Sequence, residues 1–242
     1  SITLKDIKGD LHVHSKDSDG AYTLTEMVTA ARRRDYEYLA ITDHSQSLKV
    51  AQGMSVETLN RQQDKINKVQ QKFDDFKIIK GIEVDILNDG KLDYSDDLLS
   101  QLDFVIASIH TGFNQSRSQI TTRIIEAMHN PYVNVIGHPQ GRILGRRKAY
   151  EVDMDRVIEQ ASETGTFLEI NASPFRLDLN DALVKQAREC GVKIVINTDA
   201  HHIDELDDMK LGVEVARRGW LEKEDVINTF SYDELISYFR GD

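Results

Sequence analysis

The sequence predicts an α/β chain whose strands close into a barrel of about seven parallel members. Three observations predict it. A short apolar run, a polar loop and a helix-period segment recur along the 242 residues, and that alternation gives parallel strands joined by right-handed crossovers. The three prolines are scattered, and no fixed-length repeat or Pro/Gly/Ser-rich linker divides the chain. One domain over residues 1–242 is therefore expected. Finally, polar side chains gather at the ends of the apolar runs, and a barrel brings all such ends to a single rim. That favours closure over an open, doubly wound sheet.

The strands are read at 11–14, 38–41, 78–82, 104–107, 133–136, 167–170 and 193–196. Most are rich in β-branched residues and too short for helices. Between them, residues 23–34 start with Thr23 and Glu26 in capping-box spacing. Residues 55–73 place Val56, Leu59, Ile66, Val69 and Phe73 near helical spacing, and 118–129 place Ile120, Ile124 and Met128 on one face. The segments 153–164 and 180–190 stop before Gly165 and Gly191, residue types suited to the left-handed position past a helix end. Asn88-Asp89-Gly90 reads as a turn.

Composition bounds the rest. With 40% hydrophobic and 29% charged residues the chain is an ordinary globular one. The lone Cys190 excludes an intrachain disulfide framework and fits a reducing compartment. No apolar stretch is long enough to span a bilayer and no secretory signal is present, so the cytoplasm is the expected location. The chain starts at Ser1, which leads us to expect a fragment of something longer. A formal charge of −11 argues against gripping nucleic acid with the whole surface. Bound cations and local basic patches weaken that argument.

Nearly every strand ends in a side chain able to hold a metal: His12 and His14 with Asp19 in the next loop, then Asp43-His44, Glu83 with Asp85, His110, His138, Glu169 with Asn171, and Asp199 with His201. His12 and His14, two apart on a strand, point to the same side. Any one histidine alone would read as a satisfied polar residue, but six of the eight fall at strand ends. His129 lies in a helix and reads as structural, and His202 as exposed or supporting. Asp43 and Asp85 are expected to orient His44 and Glu83. So many imidazoles and carboxylates exceed one tetrahedral ion and suit two or three ions of Zn²⁺, Mn²⁺ or Fe.

Asp10-Leu11-His12-Val13-His14-Ser15 with Ser18-Asp19-Gly20 resembles the first motif of the PHP (polymerase and histidinol phosphatase) superfamily. Ile41-Thr42-Asp43-His44, Gly81-Ile82-Glu83, Ser108-Ile109-His110, Gly137-His138-Pro139 and Thr198-Asp199-Ala200-His201 resemble its later motifs, in order. Gly137-His138-Pro139-Gln140-Gly141-Arg142, Leu168-Glu169-Ile170-Asn171-Ala172 and Ala216-Arg217-Arg218-Gly219-Trp220 are most similar to the C-terminal PHP domain of bacterial family X DNA polymerases. The resemblance implies a distorted (β/α)7 barrel and a trinuclear site. His12, His14, Glu83 and Asp199 would hold one ion, Glu83 would bridge to a second held by His110 and His138, and Asp19, His44 and His201 would hold the third. Asp17 is the alternative to Asp19.

The resemblance further implies a metal-dependent 3′→5′ DNA exonuclease, with cutting at abasic sites as an additional activity, attached to an N-terminal polymerase domain. Metal-activated hydroxide would attack phosphorus in line. His12, His14, Glu83, Asp199 and Arg142 are the expected catalytic residues, with Arg142 and Arg176 binding substrate phosphates beside the rim. Arg146, Arg147 and Lys148 read equally well as a solvated charge run. Tyr22 and Phe175 are candidates for stacking on bases, Arg217 and Arg218 are expected to pair with acids, and Cys190 is a poor nucleophile candidate. The competing readings are a histidinol-phosphatase-type small-molecule phosphatase and a non-catalytic domain that steadies a polymerase.

Overall fold

A computed structural model describes residues 1–240. Seven parallel strands follow one another around the sheet in chain order: β1 (Gly9–Val13), β2 (Tyr38–Ile41), β3 (Lys77–Asp85), β4 (Phe104–Ser108), β5 (Val135–Ile136), β6 (Phe167–Asn171) and β7 (Ile194–Asn197). The helices are α1 (Leu24–Arg32), α2 (Val56–Gln70), α3 (Asp96–Leu99), α4 (Arg117–His129), α5 (Met154–Thr164), α6 (Asp181–Glu189), α7 (Met209–Arg218) and α8 (Tyr232–Arg240). The expected strands are all present, although the run at 133–136 shrinks to two paired residues in β5. Thr23 and Glu26 form the expected capping box on α1. Gly165 ends α5 with φ 72, a conformation that costs a residue without a Cβ little.

The ring closes between β7 and β1 largely through side chains. One parallel bridge joins Val13 to Ala200. Elsewhere the Leu11 N–H donates to Asn197 Oδ1 at 3.0 Å, and Thr198 N–H and hydroxyl donate to the buried Asp10 carboxylate. Asn228, fully buried, donates to the Gly9 and Ile196 carbonyls and accepts from Ile196 N–H at 3.1 Å. These groups satisfy backbone that a regular ladder would otherwise pair.

Alternation along the strands divides the molecule into two apolar layers. Residues such as Leu39, Ile78, Val105, Leu168 and Ile194 face the helices in the larger cluster. Tyr38, Ile79, Phe104, Ile106, Phe167 and Val195 fill the interior, where Ile227 and Leu235 of the C-terminal segment plug its base. Continuing along the inward face, Ile79 leads to Glu83 and Asp85, Phe167 to Glu169 and Asn171, and Val195 to Asn197 and Asp199. The apolar floor thus gives way to a polar upper layer at the strand C-termini.

β1 needs a correction to reach both layers. Leu11 belongs to the interior cluster, whereas Val13, two residues on, belongs to the outer one. The register between β1 and β2 shifts between Asp10 and Val13. An extra residue in a strand reverses the side that later residues face. Leu11 therefore packs in the floor while His12 and His14 still point inward above it.

Candidate metal centre

Glu83, fully buried on β3, is the hub. Its two oxygens divide the imidazoles. Oε1 lies 3.0 Å from His12 Nε2, 3.4 Å from His14 Nε2 and 3.3 Å from His44 Nδ1. Oε2 lies 3.1 Å from His138 Nε2 and 3.4 Å from His110 Nε2. Asp199 Oδ1 sits 3.2 Å from His12 Nε2 and 2.8 Å from His14 Nε2. On the outer side, Asp19 approaches His201 Nε2 at 3.1 Å, His44 Nε2 at 3.5 Å and His14 Nδ1 at 3.7 Å.

Three sets of donor atoms are close enough to share an ion: His12, His14, Glu83 and Asp199; His14, Asp19, His44 and His201; and His44, Glu83 and His110. The first set has the composition expected from sequence. The second adds His14 to the expected group. In the third, His44 stands beside Glu83 and His110, while His138 reaches only the Glu83 oxygen that faces His110. The structure brings Asp19 to the cluster and leaves Asp17 outside it, paired with Lys65 at 2.8 Å and Gln62 at 2.9 Å.

The chemistry of these donors suits cations. His12 Nδ1–H donates to Glu169 at 2.6 Å, His110 Nδ1–H to Asp85 at 2.7 Å, and His201 Nδ1–H to the Asp199 carbonyl at 2.8 Å. Each outer acceptor fixes the tautomer, so each Nε2 turns a lone pair inward. Those lone pairs meet carboxylate oxygens, and two acceptors facing each other repel unless a proton or a cation lies between them. Accordingly His12 Nε2, His14 Nδ1, His44 Nδ1 and Glu83 Oε1 are buried without a hydrogen-bond partner. A cluster of orphaned buried donor atoms this dense would be costly as an end in itself.

Electrostatics carry the same mark. Burial alone would push the His14 imidazole down, but Asp199 and Glu83 outweigh it and lift it to about 10. Burial is likewise overcome at His110, where Glu83 and Asp85 raise the ring to about 9. Glu83 and Asp199 are held well below the carboxylate range by the histidines around them, against the cost of burial. His138 goes the other way: burial and then the nearby Arg176 cation lower it to about 4. The backbone is bent to aim these groups, with His138 at φ 26 and Asp199 at φ 57. Gly137 is required beside them, because a Cβ there would stand 2.4 Å from Ser108 Oγ.

Several supporting residues differ from expectation. Asp43 does not touch the His44 ring. It accepts from Ser15 N–H and hydroxyl, Ser18 hydroxyl and Gln62, and so braces the loop that carries Asp19. Asp85 orients His110 rather than Glu83. Arg217 donates to the Ile2 carbonyl rather than to an acid, whereas Arg218 pairs with Asp181 as expected. Tyr22 is engaged with His202, ring edge to ring face at 4.9 Å. His129 is exposed at the end of α4, away from the cluster.

Arg142 and Arg176 latch two rim loops together. Arg142 donates through Nε to the Arg176 carbonyl at 2.9 Å and through Nη2 to the Leu177 carbonyl, and Arg176 Nη1 returns a bond to the Arg142 carbonyl at 3.4 Å. The residue the sequence reading left without a role is Glu169. Fully buried, it also accepts from His138 N–H at 3.0 Å, Asn171 at 3.0 Å and Asn197 at 2.9 Å. Its inward position on β6, two residues before Asn171, was the signal.

The PHP domain matches residues 10–173. The chain is 50% identical over 239 residues to the DNA polymerase/3′-5′ exonuclease PolX of Bacillus subtilis (strain 168), covering 99% of this chain and 42% of that protein. It therefore spans less than half the length of that relative. It is 31% identical over 231 residues to the Probable phosphatase of Thermoanaerobacter sp. (strain X514), covering 91% of this chain and 89% of that protein. Among solved structures, the histidinol phosphate phosphatase of Lactococcus lactis, complexed with zinc, L-histidinol and phosphate, superposes with a TM-score of 0.65 at 18% identity. That alignment covers 89% of this chain and 94% of the other, and at such identity it speaks for the fold.

Proposed function

This chain belongs to the PHP domain family, and on that premise we propose that it is a metal-dependent phosphodiesterase acting as a 3′→5′ exonuclease on DNA, with incision at abasic sites as a further activity. The observation that carries the reading is the convergence of unpartnered imidazole and carboxylate atoms on Glu83. The 50% identity to an exonuclease-bearing polymerase supports the choice of DNA. In this reading the chain works beside a polymerase domain of a parent protein and in the cytoplasm. No helix among the described residues is long and apolar enough to cross a membrane.

His12, His14, Glu83 and Asp199 would hold one divalent cation, Glu83 with His110 and His138 a second, and Asp19, His44 and His201 a third, with Mn²⁺, Zn²⁺ or Fe as the candidates that this donor set suits. Bound cations would supply activation of a water nucleophile and neutralisation of phosphate charge. The chain's own groups supply position. Glu83 ties the two inner groups together through its separate oxygens. Glu169, Asp85 and the Asp199 carbonyl hold the imidazole lone pairs inward. Arg176, whose cation also acts on His138, would meet a substrate phosphate, while Arg142 anchors the loop that carries it.

The test is direct. Metal-loaded protein should shorten 5′-labelled single-stranded DNA stepwise from its 3′ end, and His12→Ala or Asp199→Ala should reduce the rate at least about a hundredfold. A phosphatase of the histidinol-phosphate type is the second reading, supported by the full-length similarity to the phosphatase of Thermoanaerobacter. Rapid turnover of phosphomonoesters with DNA left intact would establish it instead. A loaded protein that does neither would leave a non-catalytic domain.

A further inference from the structure

We infer that the hairpin 142–148, together with Phe175, is a binding surface for unpaired polynucleotide that extends beyond the metal cluster. The inference rests on the nuclease reading and narrows its substrate to single strands several nucleotides long.

The hairpin follows β5 on the same rim as the cluster. An antiparallel bridge between Ile143 and Arg147 forms its stem, and Gly145 turns its tip at φ 79. Tyr150 stiffens the base by donating its hydroxyl to the Pro139 carbonyl at 2.7 Å. The latch between Arg142 and Arg176 joins it to the loop after β6, where the Leu144 N–H donates to the Phe175 carbonyl at 2.6 Å. Across a cleft of about 1000 Å³, it faces residues 112–115 of the loop that follows His110.

Charge distinguishes this surface. The chain holds 41 acids against 30 bases, and many of its arginines find a carboxylate: Arg32 with Asp75, Arg34 with Asp207, Arg188 with Asp225, Arg218 with Asp181. On the hairpin and its neighbour, Arg142, Arg146, Arg147, Lys148 and Arg176 have no carboxylate at ion-pair distance among the described residues. Arg146 and Lys148 are exposed, with no side-chain partner among the described residues. Arg147 lies 3.8 Å over the Phe113 ring and donates to the Gly141 carbonyl. Asp178, the acid that feels Arg176 and Arg142, is buried and accepts from the Gln140 and Gly141 N–H groups. A run of unneutralised cations on an acidic protein is a local field for a polyanion.

The apolar residues give the second half of the argument. Phe175 is 58% exposed and Leu144 43%, and they are neighbours. A bare ring flanked by cations is an arrangement on which a base can stack while phosphates follow the charges. A duplex hides its base faces and would use the charges alone.

The experiment compares wild type, Arg146→Ala/Lys148→Ala and Phe175→Ala, with Lys68→Ala/Lys72→Ala on the opposite end of the barrel as the charge control. Binding of a phosphorothioate oligothymidylate of about 20 nucleotides is followed by fluorescence anisotropy across a salt series. Hydrolysis is followed as the ratio of kcat/KM for the ordinary oligomer over that for a thymidine dinucleotide. Both rim variants should weaken binding about tenfold and lower the ratio by a similar factor. The double variant should also lose about 1.4 from the slope of log affinity on log salt, at roughly 0.7 per phosphate contact. The control should behave as wild type. Unchanged affinity and ratio in the rim variants would overturn the inference, as would duplex DNA or polyglutamate competing as well as the oligomer. If wild type cleaves neither substrate yet the rim variants still lose binding, the nuclease reading falls and the binding surface stands.

Discussion

Replacing Glu169 with glutamine tests how the cluster is held in place. The Glu169 carboxylate takes four donors: His12 Nδ1 and Asn197 Nδ2 on one oxygen, His138 N–H and Asn171 Nδ2 on the other. Glutamine retains one acceptor oxygen and places an amide NH₂ against the other pair. Whichever way the amide turns, two bonds are lost and donors face donors in a fully buried position. Buried hydrogen bonds to a charged group are worth about 1.5–3 kcal/mol each, so losing two costs about 3–6 kcal/mol. Urea unfolding in EDTA reads that value without metal linkage. The His12 ring loses its outer acceptor, and removing such a partner costs about 10–100-fold in metal affinity. Competition against a chromophoric chelator measures it. A variant within 0.5 kcal/mol of wild type and unchanged in metal affinity would refute the positioning role.

Further outcomes follow from the same geometry. Asp19→Ala should lower the metal content by one ion per chain and Asp17→Ala should not, as read by elemental analysis of loaded protein, because only Asp19 reaches the imidazoles. Asn228→Ala removes three buried bonds across the seam between β7 and β1, so unfolding should become easier by about 2–4 kcal/mol in urea melts. Burial raises the Asp178 carboxyl from its ordinary 3.8 to about 7. Between those values the folded state keeps a proton that the unfolded chain has lost, so stability falls as pH rises from about 4 to 7 and levels off above. The stability difference between wild type and Asp178→Asn should therefore decline across that window, by up to roughly 1.4 kcal/mol per pH unit. A difference independent of pH would refute the assignment.

Much of the fold was legible because strand and helix periods differ. Runs such as 104–107 and 167–170, bounded by polar loops, admit few other readings. The gathering of His12, His14, His44, Glu83, His110, His138, Asp199 and His201 on one rim follows once parallel strands are accepted, since topology then does the converging. The supporting contacts were less legible. Nothing in the local sequence of Asp43 or Asp85 says that the first braces the Ser15–Ser18 loop and the second orients His110, because the answer depends on contacts between strands and loops more than twenty residues apart. Arg142 shows the limit from another side: a cation near a rim looks free in sequence, yet backbone carbonyls two loops away engage its guanidinium. The length of β5 was less legible, because two of its four expected residues connect rather than pair.

The slipped residue in β1 has a consequence for how this protein can change. The leucine in the foundation and the paired imidazoles above it are phased independently, so a single deletion at Asp10 or Leu11 would turn His12 and His14 toward the helices while leaving every ligand in the gene. Such a protein would keep its recognisable motif and lose its metal. The spacing of that one strand, rather than the presence of its histidines, is what marks a working copy among sequences that look alike.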